Sequence, residues 1–201
     1  MKIIVWNSRE KREADYQKLM RGCDILCLVE CGQWDIPQEA RQIQSGLFYW
    51  KQRYGGTPYD LIYSSQGLAF ICREGWYGGE AVIYSVHPAI GALAGICLQG
   101  NFWMFANHED NAVNSYHIGE FYLREISARF QKAAFAADFR EENYPWTQET
   151  IGKLHKVSLP PGHRQLTVNC LFTLHVACKD RYLLKGYEDL PNQPTFFELE
   201  I

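Results

Sequence analysis

The chain predicts an α/β fold in which layers of mixed β-sheet are flanked by helices, and three observations point there. Its opening reads as strand, helix, strand. Its middle holds short apolar runs separated by Gly, Pro and Asn turn signals. Of its 201 residues 47% are hydrophobic and 14% aromatic, enough to bury a full core in a single domain spanning 1–201.

Ile3, Ile4 and Val5 are β-branched within a run bounded by polar residues, so Lys2 to Trp6 reads as a buried strand. Ser8 offers an N-cap, Tyr16, Leu19 and Met20 recur at helical spacing, and Gly22 supplies a stop. A second apolar run, Cys23 to Cys31, carries Glu30 near its end. A helix of this length between two such strands predicts a right-handed crossover with the strands parallel, so Asn7 and Glu30 open on one sheet edge. A carboxylate at the mouth of a buried strand is a candidate ligand, because a lone buried carboxylate is costly. Asn7 serves equally well as a turn or cap residue.

The stretch Tyr49 to Tyr59 is aromatic, and its turn signals at Gly55, Gly56 and Pro58 predict a loop. Such a loop either stacks on a nucleobase or packs onto the core. Ala81 to Val86 and Leu93 to Leu98 read as strands, and Gln99-Gly100-Asn101 as the turn into a strand Phe102 to Asn107. That strand delivers His108 to the sheet edge. A helical pattern over Ile118 to Phe130 precedes a strand at Ala133. Beyond the SLPPG linker at Ser158 to Gly162, Leu166 to Ala177 and Arg181 to Tyr187 predict a hairpin turning at Lys179-Asp180, within a divergent C-terminal region of about 160–201.

A formal net charge of −3 and a pI near 6.1 exclude a protein that holds long duplex DNA by its overall field. Local positive charge is available from Arg9, Lys11, Arg12, Arg73 and Arg140, although Arg9 to Arg12 also fit a solvated helix face. No run of about 18 apolar residues suggests a membrane span, and no secretory signal pattern opens the chain, which predicts a cytoplasmic protein. The seven Cys are odd in number and lie mostly in apolar runs, which favours buried thiols over disulfides. On a strand, successive members of the set Cys23, Cys27 and Cys31 would stand roughly 13 Å apart, too far for one zinc.

Trp6-Asn7, a helix, and then Asp24 to Cys31 (DILCLVEC) together resemble the start of the endonuclease/exonuclease/phosphatase family, whose members commonly begin with a WN strand and continue to a DIxxxQE strand. Val29 stands where that family usually has Gln. Gln66 to Glu74 (QGLAFICRE), Asn101 to His108 (NFWMFANH) and Phe135 to Asn143 (FAADFREEN) are similar to later family segments, with Cys72 in place of a Ser, Ala137 of a Gly and Arg140 of an Asn. The resemblance implies a shortened DNase I-like sandwich with Glu30 and Asp138 as ligands of Mg²⁺ or Mn²⁺. It further implies Asn7 and His108 on the phosphate, His108 as general acid, and a nucleic acid or nucleotide as substrate. No SDH-like ending is present, and Pro194 to Phe197 is similar to a PTF segment that precedes such an ending in some members. Two functions follow as expectations. One is a divergent metal-dependent phosphodiesterase or endonuclease; the other is a catalytically degenerate module that binds or inhibits a protein partner.

Overall fold

The N-terminal β-branched run forms β1 (Lys2–Asn7), buried along all but its first residue, in a computed structural model that describes residues 1–84, 92–108, 128–137, 154–156, 169–173, 176–188 and 192–200. Helix α1 (Glu13–Leu19) follows, and β2 (Ile25–Val29) returns parallel to β1, with Ile3 opposite Ile25 and Asn7 opposite Val29. The parallel pairing is therefore as the sequence predicts. The helix begins later than Ser8, at an Arg12 cap with no side-chain bond. Ser8 instead places its hydroxyl 3.1 Å from that of Tyr16, and Glu13 and Asp15 supply the negative charge that the helix start favours.

Six further strands join this pair: β3 (Arg41–Gln44), β4 (Leu47–Tyr54), β5 (Thr57–Ser64), β6 (Leu68–Arg73), β13 (Ala177–Leu183) and β14 (Thr195–Glu200). Their order is β13-β14-β1-β2-β6-β5-β4-β3. The second sheet runs β11-β12-β10-β9-β8-β7, from β7 (Tyr77–Tyr84), β8 (Ala92–Leu98), β9 (Phe102–His108), β10 (Ala133–Ala137), β11 (Leu154–Lys156) and β12 (Asn169–Thr173). Strand alternation sorts the side chains by face. Ile3, Val5, Ile25, Cys27 and Val29 meet Ile96, Met104, Ala106 and Ala134 between the sheets. Ile4, Trp6, Leu26 and Leu28 point the other way, onto Tyr16, Leu19 and Met20 around α1. This is the helical layer seen among the described residues.

Two sequence expectations are corrected. The aromatic stretch at Tyr49 to Tyr59 is not a loop but the hairpin β4–β5, closed by Gly55 and Gly56 at φ of 56° and 85° with Tyr54 opposite Thr57. Two positive-φ residues make the two-residue turn that matches strand twist, and alternation buries Trp50, Tyr54 and Tyr59 on one face. Lys179-Asp180 is likewise no turn. It lies inside β13 at a register shift, and β13 pairs with β14 while β12 belongs to the other sheet. Gln99–Asn101 does form the expected turn, as a single 3-10 turn with Gly100 at φ 71°. The linker at 158–162 and most of the helical pattern at 118–130 lie outside the described residues.

Trp34 is stacked between Tyr16 and Tyr63, with ring centroids 5.7 and 5.3 Å away. Burial pushes the Tyr16, Tyr49 and Tyr77 phenols up to about 12 from an ordinary 10.0, and it raises Tyr54 and Tyr63 as well. The folded state thus holds phenolic protons that the unfolded chain releases near pH 10. Their stabilisation is complete below pH 10 and is lost as pH rises from 10 to about 12. In a base titration, phenolate absorbance at 295 nm and loss of far-UV circular dichroism are expected to rise together in that window. Full ionisation near pH 10 with unchanged dichroism would contradict the burial. Cys23, Cys31 and Cys72 are free, buried thiols, likewise pushed up by burial.

Candidate active site

The parallel pairing of β1 and β2 brings their C-terminal ends side by side, with Asn7 opposite Val29 and Glu30 the next residue. A bond from the Ser8 N–H to the Val29 carbonyl, 3.2 Å, continues the ladder into this mouth. Both chains then turn sharply. Arg9 and Glu30 hold φ of 57° and 52°, left-handed values that are uncommon outside glycine and that cluster where surrounding structure over-determines them. The Cys31 N–H donates to the Gly67 carbonyl at 2.9 Å, fixing the backbone just past half-buried Glu30.

Asn7 is 2% exposed. Its Oδ1 accepts the Arg9 backbone N–H at 3.2 Å, the turn that closes the end of β1. Its Nδ2 has no hydrogen-bond partner among the described residues, so one side-chain donor remains at the mouth. Arg9 itself is exposed and forms no ion pair among the described residues. Arg12 bonds Glu10 at 2.6 Å, and Lys11 lies over the Trp34 ring. Arg73 belongs elsewhere. It donates to the Cys23 carbonyl at 3.1 Å, at the opposite end of β2 from Glu30, so it adds no charge to this mouth.

The sequence reading missed Asn192. Because β14 runs antiparallel to β1, with Val5 opposite Thr195, the residues that lead into β14 arrive beside Asn7. Asn192 is 1% exposed, donates from Nδ2 to the Asn7 carbonyl at 3.2 Å, and its backbone carbonyl accepts the Trp6 indole N–H at 2.5 Å. Its Oδ1 is buried with no partner among the described residues. The available signal was local: a polar pair between Pro191 and Pro194, directly ahead of an aromatic strand.

His108 ends β9, opposite Ala92, and β9 is parallel to β10 with Ala106 opposite Ala136. The second sheet thus repeats the parallel pair of the first, and β2 packs against both β9 and β10 across the interior. His108 is described in its backbone only; Asp138 and Arg140 lie outside the described residues. Among the described residues no three His, Cys, Asp or Glu groups gather as a metal cluster. The oxygen donor at the mouth, the Glu30 carboxylate, still fits a hard divalent ion, since Mg²⁺ is usually held by one or two carboxylates and keeps several waters.

No family model and no curated protein matches the chain. In three dimensions it is similar to an endonuclease/exonuclease/phosphatase from Beutenbergia cavernae, at 11% identity and a TM-score of 0.58, covering 100% of this chain and 71% of that one. It is also similar to a variant of the 3' phosphatase NExo from Neisseria bound to a product DNA hairpin, at 13% identity and a TM-score of 0.59 over 100% of both chains. Its fold is that of the endonuclease/exonuclease/phosphatase enzymes. The human Nocturnin catalytic domain shares it, at 13% identity and a TM-score of 0.57, covering 100% of this chain and 94% of that one. The endonuclease/exonuclease/phosphatase fold is what Trp6-Asn7 and Asp24 to Cys31 implied.

Proposed function

We propose that the chain is a divergent, metal-dependent phosphodiesterase or nuclease acting on DNA or a nucleotide, with its site at the Asn7–Glu30 mouth. The observation that carries this reading is the parallel register that sets Asn7, whose Nδ2 has no partner among the described residues, opposite Val29, the residue before Glu30. Neighbours of the same fold include a 3' phosphatase bound to product DNA, which supports a phosphoester substrate.

Glu30 and Asp138 would hold Mg²⁺ or Mn²⁺, which when bound neutralises phosphoryl charge and acidifies water. The protein's own groups supply the rest. Asn7 donates to a non-bridging phosphate oxygen, and exposed Arg9 adds positive charge beside it. Asp138 orients the water that attacks phosphorus. His108 gives its proton to the leaving oxygen as the P–O bond breaks.

Asn192 favours a second reading. The residue that the lead-in to β14 presents beside Asn7 is an amide, which has no proton to exchange at neutral pH. A chain that binds a phosphate group there without turnover, and serves as a protein-binding or inhibitory module, also fits.

Turnover separates the two. With Mg²⁺ or Mn²⁺, the protein is expected to hydrolyse bis-p-nitrophenyl phosphate and nick plasmid DNA, and chelation is expected to stop both. Rates equal to the metal-only background on both substrates would reject the enzymatic reading.

A further inference from the structure

A second site lies away from the Asn7–Glu30 mouth, where β3, β4 and β5 of the first sheet meet β7 of the second. Strand register places it at the other end of the sandwich: Lys51 is opposite Asp60, Asp60 opposite Cys72, and Cys72 opposite Ile25, the first residue of β2. The two sheet edges are tied nearer the mouth end, where the Ile83 N–H donates to Gln44 Oε1 at 2.7 Å and Gln44 stands opposite Leu47, itself opposite Ser64. At the Lys51–Asp60 end is a cleft of about 710 Å³, lined among others by Arg41, Tyr49, Lys51, Asp60, Tyr77 and Gly79. One wall is opened by β7 itself. Its register jumps between Tyr77 and Ala81, and at Gly79, with φ 91°, nothing lies within 4 Å of where a Cβ would stand.

The polar groups of the cleft are incompletely satisfied in one consistent way. Asp60 is only 7% exposed, and its Oδ1 accepts the Tyr49 hydroxyl at 2.8 Å. Its other oxygen has no partner, and no cation reaches it within ion-pair distance, among the described residues. Lys51, directly opposite, is turned to Glu74 at 2.9 Å. Arg41 lies over the Tyr49 ring at 5.5 Å and not on the carboxylate. The Tyr77 hydroxyl is buried without a hydrogen-bond partner among the described residues, and its ring stacks on Tyr49 at 5.5 Å. A shielded carboxylate, an unpartnered hydroxyl and aromatic faces together call for a positively charged N–H donor. The Arg41 guanidinium shows that the Tyr49 face already attracts one. Glu39 in the lining disfavours a polyanion such as nucleic acid, Lys51 is neutralised by Glu74, and the net charge of −3 favours a cation.

We propose that this cleft binds an organic cation of the ammonium or guanidinium type, held between Asp60 and the Tyr77 hydroxyl against the Tyr49 ring. Arg41 is the resident competitor, displaced or moved aside when the ligand enters. The cation has two possible sources, a free small amine or a basic side chain presented by another protein.

The test is an amide NMR titration of the full chain with methylguanidinium, with butylammonium, and with a short Lys/Arg-rich peptide, using inorganic phosphate as the anionic control. Saturable shifts are expected on β4, β5 and β7 around Tyr49, Asp60 and Tyr77. Affinity is expected to fall about tenfold or more in Asp60→Asn, to fall less in Tyr77→Phe and to rise in Arg41→Ala, with Glu30→Gln unchanged. Tyr77→Phe removes only the unpartnered hydroxyl, so it keeps the test decisive if Asp60→Asn misfolds. Binding of the peptide alone supports a protein-borne cation. No saturable shift with any of the three cations, wild-type affinity in both Asp60→Asn and Tyr77→Phe, or phosphate binding at the same residues would overturn the proposal.

Discussion

Glu30→Gln is expected to lower divalent-ion-dependent hydrolysis of bis-p-nitrophenyl phosphate by at least about 100-fold while leaving the protein folded. Loss of groups that merely support a metal ligand typically costs about 10- to 100-fold, so loss of a ligand's charge should cost no less. The substitution keeps the size and hydrogen-bonding reach of a half-buried side chain, and the flanking Ser8–Val29 and Cys31–Gly67 backbone bonds do not involve it. Unchanged dichroism with lost turnover is the expected pair of results. Glu74→Gln, at a surface ion pair with Lys51, serves as the control and should keep full activity. Equal rates in wild type and Glu30→Gln would remove Glu30 from the site.

Gly95→Ala is expected to be the most damaging small substitution in the second sheet, at about 1–3 kcal/mol or more from overpacking. A Cβ at Gly95 would stand 2.4 Å from two atoms of the Phe105 ring, its cross-strand neighbour on β9. That ring has little room to give way. Trp103 stacks on it at 5.7 Å and Phe130 packs at 5.1 Å. The strain falls on the strand that ends in His108, so activity should fall along with stability. Urea unfolding followed by tryptophan fluorescence gives the measure, and a midpoint equal to wild type would show that the ring shifts freely.

What the sequence made legible followed the range of the interactions involved. β1, α1 and β2 were readable because a β-branched run, a helical spacing and a second apolar run occur within the first thirty residues, and each is specified locally. The mouth formed by Asn7 and Glu30 follows from that local order. The β4–β5 hairpin was obscured because its Gly55-Gly56 turn and its aromatic content look alike in a loop and in a strand pair, and only the burial of alternate residues decides. Asn192 was hidden for a different reason. Its partner Asn7 is 185 positions away, and the pairing of β14 with β1 that joins them leaves no spacing rule in the chain. His108 sits at its strand end as expected, since the Gln99–Asn101 turn sets the start of β9.

The most direct measurement is the position of Mn²⁺ by anomalous X-ray scattering from crystals of the wild-type protein and of Glu30→Gln. A phosphodiesterase site at the β1–β2 mouth requires an Mn²⁺ ion about 2.1 Å from a Glu30 carboxylate oxygen in the wild type. The same ion should be missing from the mouth in Glu30→Gln. Mn²⁺ bound only elsewhere in a protein that still turns over, or Mn²⁺ retained at the mouth after the carboxylate is removed, would contradict it.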